Sequence, residues 1–120
     1  MANITLKNDG SAVMLEIDIR TPQDFNFTVM VVDDTMKQYL HFTGSSDGPT
    51  SFPVGTTDFL IGKYLNIYWT VIDRAGAGNP YSASASAVQN GIKVANPQVC
   101  SGTSGTSASN VVTAGQFISA

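Results

Sequence analysis

Residues 79–91 read NPYSASASAVQNG, with alanine and serine alternating strictly between Tyr81 and an Asn-Gly pair. Alanine is the strongest helix former and serine is nearly neutral, yet a helix has no use for a period of two. A strand does, because successive side chains point to opposite faces. The stretch is therefore read as a strand with a methyl face, Ala83, Ala85 and Ala87, and a hydroxyl face, Ser82, Ser84 and Ser86.

Upstream lies YLNIYWTVID, residues 64–73, with Leu65, Ile67, Trp69 and Val71 set against Tyr64, Asn66, Tyr68 and Thr70. The Gly, Asn and Pro of the intervening DRAGAGNP suit a chain reversal, which predicts a hairpin. Its expected register places Val71 beside Ala83, Trp69 beside Ala85 and Ile67 beside Ala87, so that small side chains leave room for bulky ones. The outer side of that hairpin is then a flat, uncharged face of Asn66, Tyr68, Thr70, Ser82, Ser84 and Ser86, and Tyr64 and Tyr81 are further candidates for the partner or ligand face.

Further out, SAVMLEIDIR at 11–20 and FNFTVMVV at 25–32 carry the alternation of half-buried strands. Shorter strands are expected at Ile4 to Lys7, Gln38 to Thr43, Thr57 to Ile61 and Ile92 to Ala95, separated by Gly, Pro, Asn and Asp. DDTMKQYL, from Asp33, reads equally as a short helix capped by Asp33 or Asp34. The strand spacing predicts an all-β, antiparallel sandwich of about seven to nine strands, immunoglobulin-like or Greek-key in its count and spacing. Residues 1–97 make up the sandwich domain, 98–110 a Gly/Ser/Thr-rich linker, and 111–120 a terminal strand that returns to an edge of its own sheet or a neighbour's.

Charged residues form 12% of the 120-residue chain, and Ser and Thr number 24 against 15 charged side chains. The surface is thus hydroxyl and amide in character. With six cationic side chains and a net charge of −3, the chain has no basic cluster for a phosphate backbone, so nucleic acid is not an expected partner. No apolar run is long enough for a membrane span, and MANITLKNDG has neither a basic nor an apolar leader region. Cytoplasmic synthesis is expected, with later release left open. The single cysteine, Cys100, allows no internal disulfide.

Nucleophilic catalysis needs a base beside the nucleophile, and the lone histidine is His41. No nucleophile-elbow, phosphate-loop or dinucleotide motif accompanies it, and Cys100 has the setting of an ordinary thiol. A non-enzymatic protein without cofactors is therefore expected. Calcium would fall to the turn carboxylates Asp33, Asp34, Asp47 and Asp73, although such residues also belong in turns for their backbone hydrogen bonding. The expected function is a binding or assembly module acting through self-association, as a homo-oligomer, or through contact with another protein. The alternative is a lectin-like module in which Tyr64, Tyr68 or Tyr81 stacks on a glycan, with or without calcium.

Overall fold

In the segment AVMLEIDI the odd-numbered Val13, Leu15, Ile17 and Ile19 are all buried, while Met14, Glu16 and Asp18 are partly exposed on the other side. Alternation of inward and outward side chains recurs along the strands of the computed structural model, which describes residues 2–19, 24–44, 48–72, 80–94, 97–103 and 109–120. Two sheets result, with the alternating apolar sides turned inward onto one core. The thinnest dimension, 21 Å, fits two sheets about 10 Å apart with their outer side chains.

The first sheet has the order β1 (Ala2–Leu6), β10 (Ser109–Ser119), β6 (Tyr64–Ile72), β3 (Asp24–Val32), β4 (Gln38–Gly44). In the second, β5 (Gly48–Thr56) precedes β2 (Ala12–Ile19) and β7 (Pro80–Gln89). Two short strands, β8 (Ile92–Lys93) and β9 (Gln98–Thr103), share the far side of β7. The pairing is antiparallel except between β1 and β10. The all-β sandwich is thus the fold, with ten strands among the described residues.

The expected hairpin between residues 64–73 and 81–89 does not form. β6 pairs with β10 and β3, whereas β7 pairs with β2 and β9 in the opposite sheet. Trp69 therefore lies beside Phe27 and Val111, and Ala85 beside Ile17 and Gln98. The methyl face does point into the core, with Ala83, Ala85 and Ala87 all buried. Volume matching was the right physics applied to the wrong neighbour: bulky and small side chains interdigitate across a sandwich as readily as along one sheet. The turn residues 73–79 lie outside the described residues.

The structure differs from expectation at four further places. Residues 57–60 form a helical turn, α1 (Thr57–Leu60), where a strand was expected, because a single turn buries Thr57 and Leu60 together. The Thr57 hydroxyl also accepts the Gly10 N–H at 2.9 Å. β5, GPTSFPVGT, is not among the expected strands, but it is an edge strand whose ladder with β2 is interrupted by a bulge, the settings that tolerate proline. β9 occupies the first part of the expected linker, with Gln98 and Cys100 facing inward, and 104–108 fall outside the described residues. The terminal strand β10 is an interior strand between β1 and β6 instead of an edge strand.

The Asn90-Gly91 pair closes β7 onto β8 with both residues at positive φ, 53° and 77°, as a two-residue hairpin of matching twist requires. Polar groups inside the core are joined in chains. The Trp69 indole donates to the Thr113 hydroxyl at 2.9 Å, Thr113 donates to Gln98 Oε1 at 2.6 Å, and Gln98 Nε2 donates to the Leu65 carbonyl at 3.1 Å. Gln89 likewise completes the backbone of Lys7, accepting its N–H at 3.0 Å and donating to its carbonyl at 2.6 Å. Both glutamines tie the second sheet to the first. Among the described residues no helix is long and apolar enough to cross a membrane.

Candidate functional site

The outer side of the first sheet is built by alternation from five strands. β6 supplies Tyr64, Asn66, Tyr68 and Thr70, flanked in register by Asn110, Val112, Ala114 and Gln116 of β10 and by Asn26, Thr28, Met30 and Val32 of β3. Asn3 and Thr5 of β1 and Thr43 of β4 extend it to either side. None of these side chains is charged. Asp24, opposite Ile72 at the end of β3, is the acidic position in register with this face.

At its centre Val112 and Tyr68 are direct neighbours, 60% and 39% exposed. Threonines and amides surround them, and the Thr70 hydroxyl donates to Asn110 Oδ1 at 3.0 Å. An aromatic and an aliphatic anchor inside a neutral, hydrogen-bonding surround is the layout of a contact patch that sheds water at low cost.

The expected single platform is thereby divided. Asn66, Tyr68 and Thr70 lie on the first sheet, while Ser82 and Ser84 lie on the opposite side of the molecule, on the second. Ser86 belongs to that same outward row of the second sheet but is only 6% exposed. Glu16 and Asp18 stand beside Ser86 and Ser84 there, and Lys93 bridges Glu16 at 2.8 Å, so the serine side is ionic. Tyr81 is not on either face: it is 8% exposed, in the core, with its ring over Gly102, where a Cβ would come within 2.6 Å of the Tyr81 hydroxyl.

Tyr64 and Asn66 also line a hollow of about 230 Å³ at one end of the face, with Val32, Asp33, Asp34 and Met36. The β3–β4 turn shapes it. Asp33 Oδ1 accepts the Thr35 N–H at 2.9 Å, the Thr35 hydroxyl at 2.6 Å and the Lys37 N–H at 3.1 Å, and Oδ2 accepts the Tyr39 hydroxyl at 3.0 Å. These donors, led by the Thr35 hydroxyl, hold the Asp33 carboxyl down at about 2. The turn explains why 33–40 does not become a helix: Asp33 caps a reversal, Met36 sits at φ 67°, and β4 starts at Gln38. Beyond it, Lys63 lies over the rings of Phe59 and Tyr39 at 4.2 and 4.9 Å.

Among the described residues no group of three or more His, Cys, Asp or Glu converges on a point where a metal ion would sit. Asp47 and Asp73 lie outside the described residues. Cys100 faces the core from β9, and burial pushes its thiol up to about 11, so it stays protonated and unreactive. His41 stands opposite Met30 in the β3–β4 ladder.

Sequence reading missed that β10 and β3, not β7, complete the Tyr68 face. The alternation in FNFTVMVV and NVVTAGQFI was the available signal, but it gives the face of each strand and not its neighbours. Comparison with protein-family models, with curated proteins and with solved structures finds no match to this chain.

Proposed function

We propose that this protein is a non-catalytic β-sandwich assembly module whose outer first-sheet face packs on the same face of a second copy. The observation that carries the reading is the uncharged face centred on Tyr68 and Val112. On this face β1, β10 and β6 present no ionised side chain, so its centre meets its own copy without like-charge repulsion and without desolvating a charge. Glu16, Asp18 and Lys93 belong to the second sheet, away from this face.

The size is adequate. Five strands of about eight residues cover roughly 650 Å² at ~4.8 Å between strands and ~3.4 Å per residue. That approaches the ~800 Å² per partner of a standard stable interface.

Sedimentation equilibrium over a dilution series tests the proposal. The expected result is a reversible rise above monomer mass with concentration, abolished by Val112→Lys and unaffected by Ser84→Lys on the other sheet. A wild-type chain that stays monomeric throughout, or a Ser84→Lys chain that dissociates while Val112→Lys does not, overturns it.

A further inference from the structure

We infer that the hollow between the β3–β4 turn and the start of β6 is a binding site for one saccharide ring. The site goes beyond the assembly reading, and because it shares Tyr64 and Asn66 with that face it is tested with assembly blocked. Its apolar lining residues are Tyr64, Val32 and Met36, the last 66% exposed where the turn carries it at φ 67°. Its polar lining residues are Asn66, Asp34 and Asp33. No described residue hydrogen-bonds the side chains of Asp34, Asn66 or Tyr64.

Asp33 plays a different part. Both of its carboxylate oxygens are occupied by donors of its own turn, which fixes the position of Asp34 and Met36 and leaves Asp33 with little to offer a ligand. A hollow of about 230 Å³ lies below the ~300–1,000 Å³ of drug-sized pockets, which leaves room for one ring.

The chemistry of the lining selects among small ligands. A carboxylate only accepts hydrogen bonds, whereas a carboxamide both donates and accepts. Adjacent sugar hydroxyls do both, so one can donate to Asp34 while its neighbour accepts from Asn66, and the C–H face of the ring lies on Tyr64. An ammonium or guanidinium ligand has donors only. It would satisfy Asp34 and the Asn66 carbonyl but offer no acceptor to the Asn66 N–H groups, and a single tyrosine makes an incomplete aromatic cage.

Amide chemical-shift titrations test the inference, performed on Val112→Lys protein so that assembly does not cover Asn66. The probes are methyl glycosides of common hexoses and N-acetylhexosamines, with tetramethylammonium and arginine as the cationic comparison. At least one glycoside is expected to give saturable shifts at Met36, Tyr64 and Asn66. Asp34→Ala is expected to weaken binding about tenfold, and Tyr64→Ala at least as much, with the Asp34→Ala melting temperature unchanged. Silence with every glycoside, saturable binding that survives both substitutions, or binding of the cations alone overturns the inference.

Discussion

Asp33 gathers three donors on one carboxylate oxygen and the Tyr39 hydroxyl on the other, and the consequence is a measurable titration. Its folded value, about 2, lies below the ~3.9 of an unfolded chain. The stabilisation of the turn is therefore complete above about pH 4 and is lost as the pH falls through about 2. A carboxyl-resonance titration should show Asp33 with that low midpoint and the Thr35 amide shifting with it. A midpoint in the ordinary carboxylate range would mean that the turn does not hold its donors in solution. Thr113 makes a second residue-scale case, since it both receives the Trp69 N–H and donates to Gln98. Thr113→Val keeps the shape but removes both the acceptor of the Trp69 N–H and the donor to Gln98 Oε1, at a cost of about 2–4 kcal/mol. Urea unfolding followed by Trp69 fluorescence measures it, and a loss under about 0.5 kcal/mol would show the chain of bonds to be incidental.

At the scale of the element, β7 is the informative strand. Its alanines face the core and its serines face outward, so Ala85→Leu must overpack the interior and cost about 1–3 kcal/mol. Ser84→Ala should stay within about 0.5 kcal/mol. Thermal or denaturant unfolding of the pair checks both, and equal effects would deny the inward–outward assignment. That assignment was legible in the sequence because alternation is a property of one strand alone. Which strand lies beside it was not: Ile67, Trp69 and Val71 need small partners, and Ala83, Ala85 and Ala87 supply them equally well from the adjacent strand or from the opposite sheet. β5 stayed hidden because Pro49 and Pro53 argue against a strand in general but not on an edge. The helix at Thr57–Leu60 stayed hidden because Thr56 and Thr57 favour a strand by propensity, and only burial against the core reverses that.

For the whole molecule, the division of charge between the two outer sides matters more than the net value. Four of the eight residues expected on one face do share one, Tyr64, Asn66, Tyr68 and Thr70 of β6. The other half moved to the opposite sheet, because a pairing error of one strand transfers every residue on it to another surface. The reading that follows is that the first sheet's neutral side is where copies meet, while the ionic side of the second sheet remains in water. Following backbone and methyl resonances through a concentration series distinguishes the two sides most directly. Shifts on dilution confined to Thr28, Tyr68, Thr70 and Val112, with Ser82, Ser84 and Val99 unmoved, are the result this account predicts. Shifts confined to the serine side, or none on either side at any concentration, would contradict it.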